Sequence, residues 1–428
     1  MEPRADIYIP QVFRNFQGFV IRDIKEFHTE RRMELILESK PGREHFCSRC
    51  GCDLGKQDGR YFLKSHHLKV MSWSVVVCFW REKRFCPACN KVRSEAIDFI
   101  CATTPHVTEE LAWWINRLTE ITSVLSVSHL ESIDKMTCYS VDKYILTRLL
   151  QGYKIPKVTQ ISVDEVYARG PVQLKEGENR NDLFLTVIVD IKTHKVIWVS
   201  KSRRKEALDE FFILFGEEAC KDIEVVATDQ HEDYAASVRQ YCPKATLVWD
   251  RFHLMRIFEE AVNDTRKVLH AELDSGSELQ RLSRGKFRYL FLKKANRRTL
   301  EEKIHIDELL KENARFAKLE LIKERMITFF DQRDEASAKT VFDEVATWIA
   351  QCGFMPLIHW YRKFEKGWDT VKNYFIYRVT TGISEGINRA IKGLKWQAYG
   401  YKDMDYFKLK ILQKVGYLNS RYHLGADK

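Results

Sequence analysis

The first hundred residues contain short apolar runs separated by turns that are rich in Gly, Pro and charged residues. Residues 32–38 and 74–80 are rich in β-branched and large aliphatic side chains, and polar residues bound each run. Such runs of about 4–8 residues are typical of β-strands. Residues 1–100 are therefore predicted to form a small β-rich module.

The spacing of the apolar residues changes after residue 104. Up to residue 150 they recur at every third or fourth position, which predicts helices. Thr108 is a suitable N-cap for the first helix, the second is predicted over 122–134, and the third from a cap at Ser140.

Three short helices in residues 101–152 are compatible with a helix-turn-helix whose last helix contacts DNA. Lys143 and Arg148 would be the cationic groups of that helix. Such residues are also common on any solvated helix, so an ordinary three-helix linker remains open.

From residue 159 the pattern alternates between strands and helices. In chain order, we predict a strand at 161–166, a two-stranded hairpin at 183–190 and 195–200, a helix at 205–215, a strand at 223–227, a helix at 231–241 and a strand at 245–249. A ribonuclease-H-like fold requires this order, since three antiparallel strands come first and two parallel strands follow through helices. Other mixed α/β folds share the order, so the positions of the acidic residues must decide.

After residue 253 the pattern is almost wholly helical, and a further helix is predicted at 384–395. The predicted fold class is a multidomain chain, with a ribonuclease-H-like α/β catalytic core and an all-α insertion, preceded by a zinc-binding β module and a helix-turn-helix. The predicted domains are 1–100 (the zinc-binding module), 101–152 (the helix-turn-helix), 153–253 (the first part of the core), 254–380 (the insertion) and 381–428 (the second part of the core and a C-terminal tail).

Composition and charge limit the possible partners. The 428 residues include 70 Lys and Arg against 60 Asp and Glu, which gives a formal net charge of +10. A moderate basic excess favours a polyanionic partner such as nucleic acid. No apolar run approaches the roughly 18 residues of a membrane helix, and the charged N-terminus lacks the apolar core of a signal peptide. We therefore expect a cytoplasmic protein without a membrane partner.

Two cysteine pairs predict a metal site in the first module, since stable disulfides are rare in the cytosol. Cys47 and Cys50 form one C-x₂-C pair, Cys86 and Cys89 form another, and 35 residues separate the pairs. Each pair can chelate from a tight turn, and four thiolates complete a tetrahedral Zn²⁺ site with no open position. One structural Zn²⁺ is expected. Cys52 is an alternative ligand to Cys50, and four unrelated reduced cysteines are the plainer explanation.

A basic run lies within the predicted helical insertion. From Arg281 to Arg298 there are eight Lys or Arg residues and no Asp or Glu over 18 positions. The lack of acids favours contact with DNA phosphates, with Lys293, Lys294, Arg297 and Arg298 as the candidates. The solvated face of an amphipathic helix is the alternative.

Two aspartates fall on the predicted strands. Asp164 lies inside the apolar strand 161–166, where a charged side chain is costly unless it is paired or binds a metal. Asp229 lies at the carboxyl end of the strand 223–227, where open α/β sheets present ligand groups. The alternatives are an ion pair for Asp164 and, for Asp229, a capping box with Glu232.

The helix that follows Gly382 carries a third acidic residue. On a helix, Glu385, Asn388, Arg389 and Lys392 share one face, opposite an apolar face. A carboxylate beside amide and cationic groups suits a metal ion and a phosphate, although any amphipathic surface helix has this pattern. Asn388, Arg389 and Lys392 are the predicted DNA contacts.

Three carboxylates suit metal-assisted phosphodiester chemistry. Cleavage by water and strand transfer by a 3′-hydroxyl both proceed by in-line displacement at phosphorus, and two Mg²⁺ ions about 3.5–4 Å apart can activate the nucleophile and stabilise the leaving oxygen. Mg²⁺ takes few carboxylates and keeps waters and phosphate oxygens. The expected cofactors are two Mg²⁺ or Mn²⁺ ions.

The chain resembles the bacterial insertion-sequence transposases of the ISL3 family, a branch of the DDE transposases. The resemblance is carried by the paired cysteines and by residues 162–165, 228–229, 250–253, 385–392 and 398–401, of which the last two stretches are the most specific. It implies Asp164, Asp229 and Glu385 as catalytic metal ligands. Asp250 and His253 match the family pattern without a role that the sequence explains.

The resemblance implies a DNA transposase that binds the terminal inverted repeats of an insertion sequence and catalyses strand cleavage and strand transfer. It implies double-stranded DNA as the partner, a location at the bacterial nucleoid, and a homodimer or higher even-numbered assembly, because two ends must be brought together. Two alternatives remain open. One is a non-catalytic zinc and helix-turn-helix regulator, and the other is a ribonuclease-H-like nuclease that cuts structured DNA without joining it.

Overall fold

The computed structural model describes residues 16–170, 174, 176–283, 287–379 and 382–419. It divides into two compact units, one of which contains the chain up to Lys154 and again from Trp396, while the other is Ile155–Lys395. Residues 396–419 thus lie in the first unit and 382–395 in the second, although 381–428 was predicted as one domain.

The secondary structure is mixed α/β. The strands are β1 (Phe19–Phe27), β2 (Arg32–Ser39), β3 (Gln57–Val70), β4 (Trp73–Cys86), β5 (Lys91–Ser94), β6 (Gln160–Tyr167), β7 (Phe184–Asp190), β8 (Lys195–Lys201), β9 (Val225–Thr228) and β10 (Thr246–Trp249). The helices up to the middle of the chain are α1 (Glu109–Ile121), α2 (Val124–Glu131), α3 (Lys135–Gly152), α4 (Lys205–Phe215), α5 (Glu217–Lys221), α6 (Glu232–Tyr241), α7 (Arg251–Ala271) and α8 (Glu278–Leu282). The later helices are α9 (Phe287–Leu292), α10 (Leu300–Glu312), α11 (Ala314–Ile327), α12 (Glu335–Cys352), α13 (Met355–Lys366), α14 (Trp368–Val371), α15 (Asn373–Tyr377), α16 (Gly382–Gln397) and α17 (Met404–Val415).

The first unit begins with a five-stranded sheet in the order β1-β2-β4-β3, with β5 paired to β4. The β2–β4 pair is parallel and the other pairs are antiparallel. Leu35, Val77 and Phe79 are buried on one face, and Phe19 and Phe99 pack edge-on against Phe79. Burial of this aromatic core stabilises the module, and the strands predicted at 32–38 and 74–80 are confirmed.

Among the described residues, the helices that lie wholly in the first unit are α1, α2, α3 and α17. The third of them begins at Lys135 because the side chain of Asp134 accepts the backbone N–H of Thr137 and caps it. The prediction of a cap at Ser140 is therefore wrong, and that residue lies inside α3. The second helix, Val124–Glu131, is also shorter than predicted, because Ser132 takes a left-handed conformation and ends it.

The second unit contains a sheet in the order β10-β9-β6-β7-β8. The β6–β7 and β7–β8 pairs are antiparallel, whereas β9 runs parallel to β6 and β10 parallel to β9. Three antiparallel strands followed by two parallel strands is the arrangement predicted from the order of the elements. It brings the carboxyl ends of β6, β9 and β10 to one edge of the sheet.

Helices α7 to α15 form a helical insertion between β10 and α16. Its buried apolar cluster also contains Ala227 of β9 and Val248 of β10. The aromatic members of the cluster include Phe258, Phe316, Phe329, Phe342 and Trp360. Gly367 lies directly against Trp249 of β10, where an added Cβ would lie 1.8 Å from a ring carbon. Only glycine allows this approach, which packs the insertion on the edge of the sheet. Within the described residues, no helix combines the length and apolar character needed to cross a bilayer.

Candidate active site and metal centre

Asp164 and Asp229 lie at the same edge of the second sheet. In the parallel β6–β9 pair, Ser162 is the partner of Ala227. Two residues further along each chain are Asp164, which lies inside β6, and Asp229, which directly follows β9, so the two aspartates occupy corresponding positions on neighbouring parallel strands. The fold thus brings together the first two predicted ligands.

Asp164 is held by contacts to both of its carboxylate oxygens. The backbone N–H of Glu165 donates to Oδ1 at 2.7 Å, and Asn388 Nδ2 donates to Oδ2 at 2.7 Å. Burial raises the pKa of the Asp164 carboxyl, and these hydrogen bonds and the positive charge of His253 oppose that rise. The two hydrogen bonds fix the orientation of the Asp164 carboxylate.

Several buried polar atoms near this edge have no hydrogen-bond partner. They are Glu165 Oε1, Asp229 Oδ1, Gln230 Oε1, His231 Nδ1 and His253 Nδ1. Buried polar atoms are normally satisfied by protein, water or an ion. Two of them, Glu165 Oε1 and Asp229 Oδ1, are carboxylate oxygens, whose chemistry suits Mg²⁺ or Mn²⁺.

Glu385 lies one turn before Asn388 on α16. Helix α16 is fixed to β6 by the contact of Asn388 with Asp164 and by the buried hydroxyl pair Ser384–Ser162, whose oxygens are 2.9 Å apart. The Glu385 side chain is 48% exposed and pairs with Arg389 at 2.5 Å. The structure therefore brings the helix of Glu385 to Asp164, but it places the Glu385 carboxylate on the neighbouring arginine.

The four predicted zinc ligands come together. The sulfur atoms of Cys47, Cys50, Cys86 and Cys89 all lie within 4.8 Å of one another, with 3.5 Å between Cys50 and Cys86 and 4.0 Å between Cys47 and Cys89. Four sulfurs at 2.3 Å from a tetrahedral Zn²⁺ would be about 3.8 Å apart. The geometry fits a zinc ion, and among the described residues this is the one group of three or more metal-ligating side chains arranged to hold an ion.

Two tight turns present these thiols. Gly51 after the first pair and Asn90 after the second have φ angles of +73° and +49°, and glycine and asparagine adopt this left-handed conformation most readily. Backbone N–H groups of Arg49 and Cys89 donate to the sulfurs of Cys47 and Cys86, each at 3.4 Å. Cys52 is exposed and stands outside the group, which favours Cys50 as the ligand.

The two cations predicted to contact DNA from α3 are paired within their own unit. Lys143 contacts Asp403 at 2.5 Å. Arg148 pairs with Glu109, and its guanidinium lies over the rings of Trp113 and Tyr144. DNA binding by either side chain would therefore require exchange of a carboxylate for a phosphate.

The candidates of the basic run differ in exposure. Arg298 is buried, forms a 2.6 Å ion pair with Glu320 and donates to the carbonyls of Leu290 and Lys293, so it stabilises the insertion. Lys293 contacts Glu302 at 2.6 Å. Lys294 is half-buried and Arg297 exposed, which leaves these two best placed for an external anion. Lys392, on α16, is exposed as well.

Three residues near the site were missed in the sequence. The pKa of Glu165 is raised by burial and by the charge of Asp229, and Arg203 Nη1 lies 3.4 Å from its Oε2. His231 Nε2 lies 4.0 Å from Glu165 Oε1. The signal available in the sequence was the acidic doublet of Asp164 and Glu165 in an otherwise apolar strand, since a second charge there also requires a partner.

Comparison with known proteins identifies related chains. The family model of the ISL3 transposases, described as "Transposase", matches residues 162–411. The chain is 25% identical over 413 residues to the transposase for insertion sequence element IS1001 of Bordetella parapertussis, covering 92% of this chain and 95% of that protein. It is 23% identical over 270 residues to the transposase for insertion sequence element IS1557 of Mycobacterium tuberculosis (strain CDC 1551 / Oshkosh), covering 58% of each chain. The matched region contains every candidate residue of the second unit.

Proposed function

Because the chain belongs to the ISL3 family of transposases, we propose that it binds the ends of an insertion sequence and catalyses cleavage and transfer of DNA strands with two divalent metal ions. DNA is its partner, since transposases act on DNA. We assign the second unit to the ribonuclease-H-like fold. The support for this assignment is the strand order β10-β9-β6-β7-β8, with Asp164 inside β6 and Asp229 directly after β9 at corresponding positions of the parallel pair.

The observation that carries the proposal is the contact of Asn388 with Asp164 at 2.7 Å. It joins a strand and a helix that the whole helical insertion separates in the chain. Glu385 lies on that same helix close to the sheet edge, so Asp164, Asp229 and Glu385 are the proposed metal ligands. Glu385 would be free to hold a metal ion only if its carboxylate left Arg389, and a DNA phosphate that attracts the arginine would favour this exchange.

When bound, two Mg²⁺ or Mn²⁺ ions supply the positive charge that activates the attacking oxygen and stabilises the leaving one. The protein residues provide the rest. Asp164 and Asp229 would hold the positive charge of the metal ions at the sheet, and Asn388 orients Asp164. Arg389 and Lys392 on α16 contact the DNA backbone. An acidic cluster alone would repel DNA, so these cations are required for the approach of the strand.

One structural Zn²⁺ on the four cysteines stabilises the N-terminal module, and the helices of the first unit and the basic residues of the insertion contribute DNA contacts. We further propose a homodimer or higher even-numbered assembly on DNA, because two element ends must be held together for transfer. Zinc has no catalytic part here, since four thiolates leave no open coordination position.

The experiment is Glu385→Gln, assayed on a duplex that carries the inverted repeats flanking the coding gene. We expect Mg²⁺-dependent cleavage to be lost while binding of the repeats and the thermal unfolding temperature stay close to those of the parent. Gln keeps the shape and removes the charge that holds the ion. Glu335→Gln, an exposed glutamate in the first turn of α12, is the matched control and should cut normally.

A Glu385→Gln chain that cuts at the parental rate would refute the assignment of this residue. A wild-type chain that binds the repeats and leaves them uncut with either Mg²⁺ or Mn²⁺ would instead indicate a DNA-binding regulator. A chain that cuts without joining strands would indicate a nuclease.

A further inference from the structure

A small cleft in the second unit lies where the sheet meets the helical insertion. It is lined by one residue that follows β9 and by residues of α7 and α13: Gln230, Leu254, Ile257, Trp360, Lys363 and Phe364. Gln230 is the next residue after Asp229. The end of α13 is close to β10, because Gly367 lies directly against Trp249. A group that enters this cleft therefore lies close to the proposed catalytic centre.

Most of the cleft lining is apolar and belongs to the core of the insertion. Trp360 is 4% exposed, and Leu254 and Phe364 are buried more deeply still. Such a lining favours a flat, weakly hydrated group, and it disfavours a bare phosphate, whose charge would lose its water there without compensation. The chemistry of the lining thus suits the edge of an aromatic ring system.

The cleft also offers a hydrogen-bond acceptor that nothing satisfies. Gln230 Oε1 is buried and has no hydrogen-bond partner among the described residues. A buried amide oxygen without a donor is costly, so a donor is expected to approach it. An ordered water can fill this role in the free protein. An ionised phosphate cannot, because it carries no hydrogen to donate, whereas every DNA base has an N–H on its pairing edge.

A lysine adds a positive charge beside the apolar lining. Lys363 is exposed, and no carboxylate pairs with it among the described residues. It lies in the last turn of α13, where a cation also interacts favourably with the helix dipole. The dipole accounts equally for Lys366, but of the two lysines only Lys363 lines the cleft. An apolar lining, a buried acceptor and a cation together match the base and the phosphate of one nucleotide.

We propose that this cleft binds the edge of a DNA base that has left the helical stack next to the cleaved phosphodiester bond. Gln230 Oε1 accepts a hydrogen bond from the base, and Lys363 contacts the phosphate of the same nucleotide. Because Oε1 is buried, the groove edge of an intact base pair stays outside the cleft, and only a base that projects from the duplex reaches it.

The inference rests on the proposed function and deepens it, since it names the part of the DNA that fixes the strand. Gln230 and Lys363 are positioning residues in this arrangement. A nucleotide held beside Asp229 keeps the neighbouring phosphorus in the geometry that in-line displacement requires.

The test uses 2-aminopurine, a base analogue whose fluorescence rises when it leaves the stack. It replaces, one at a time, the bases that flank the cleavage point in a duplex with the inverted repeats. The full-length chain binds this duplex with Ca²⁺ in place of Mg²⁺, to keep the strand uncut. We expect the fluorescence to rise at one position. Permanganate oxidation of a thymine at that position is a second measurement of lost stacking.

Gln230→Leu removes the acceptor and keeps a side chain of similar bulk. The fluorescence rise should be lost, and the affinity for the repeats should fall by about three- to tenfold, the effect of one hydrogen bond. Lys363→Met removes the cation and should also abolish the rise, and it carries the test if Gln230→Leu fails to fold. Lys366→Met makes the same change on the same helix outside the cleft, and Glu385→Gln blocks cutting, so both should keep the rise.

The outcomes separate this inference from the proposed function. If the parent cuts the repeats with Mg²⁺ and no base loses its stacking, the cleft has no such role and the proposed function stands. The same conclusion follows if Gln230→Leu and Lys363→Met unstack the base as the parent does. If the parent neither binds nor cuts the repeats, the proposed function fails and this inference fails with it.

Discussion

Lys410→Met should strongly destabilise the first unit. Lys410 lies on α17 and is buried, with Nζ 3.3 Å from Asp142 Oδ2 and a 2.7 Å hydrogen bond to the carbonyl of Thr119. Burial lowers the pKa of its ammonium group and Asp142 opposes that shift, so the two charges depend on each other. Met has similar length and fills the space but carries no charge.

The size of the effect follows from what remains around Asp142. Removal of the ammonium leaves a fully buried carboxylate that still accepts hydrogen bonds from Asn116 at 2.7 Å, Thr119 at 2.6 Å and Tyr406 at 2.5 Å. Loss of one partner of a buried ion pair costs about 3–5 kcal/mol. Because three donors remain, we expect the lower end, about 3 kcal/mol, which for a unit of this size corresponds to roughly 10 °C in Tm.

The measurement is denaturant unfolding combined with hydrogen exchange of the amides of α1, α3 and α17, which reports on this unit separately from the second. Lys414→Met, one turn further along α17, is the matched control. Lys414 is exposed and donates to the backbone carbonyl of Glu120, so its loss should stay within about 0.5 kcal/mol. A Lys410→Met chain within about 1 kcal/mol of the parent would show that the ion pair is not what holds α17 in place.

Three further predictions concern zinc, DNA and acid stability. The purified chain should carry about one Zn²⁺, and Cys86→Ser should lower the zinc content and destabilise the first unit while the second unit stays folded. Protein that contains no zinc when purified without a chelator would contradict this prediction. The double variant Lys294→Ala/Arg297→Ala should weaken binding to every DNA sequence and make the log–log salt slope shallower by up to about 2, and an unchanged slope would assign both residues to a solvated face. Burial raises the pKa of Asp403, but hydrogen bonds from Lys143 and Tyr139 dominate and lower it to about 2. Because the folded pKa lies below the unfolded value of about 3.9, the ionised Asp403 adds to the free energy of unfolding above pH 4, and this contribution is lost as the pH falls towards 2. Asp403→Asn should therefore flatten the pH dependence of unfolding in that window, by only about 1 kcal/mol because the group is partly exposed.

The fold of the second unit was largely accessible from the sequence because its strands are apolar and its helices amphipathic. Asp164 could be recognised as unusual because a charge in a buried strand must be compensated. Asp229 could be placed because it follows a strand that ends at the same edge. Periodicity identified the strands and helices, but several mixed α/β folds share their order along the chain, so the positions of the acidic residues had to select among them.

Contacts between distant parts of the chain could not be predicted in this way. The ion pair of Lys410 with Asp142 and the contact of Asn388 with Asp164 join residues more than two hundred positions apart. Arg298 was included among the DNA contacts because an arginine in an acid-free run looks exposed, yet Glu320 from another helix neutralises it. A local pattern shows charge but not the partner that a distant helix supplies.

The pairing of cations also separates the proposed DNA contacts into two kinds. Lys143 and Arg148 already contact Asp403 and Glu109, so a phosphate that binds them replaces a carboxylate, and each new contact costs an existing one. Arg297 is exposed, and no carboxylate is seen to pair with it among the described residues, so a phosphate adds to its contacts without such a loss. Non-specific affinity and its salt dependence should therefore come mainly from the insertion. For Lys143 and Arg148 of α3, contacts with DNA would be more favourable than the existing ion pairs only where phosphates and bases lie in the matching arrangement. Such a requirement allows discrimination between DNA sequences.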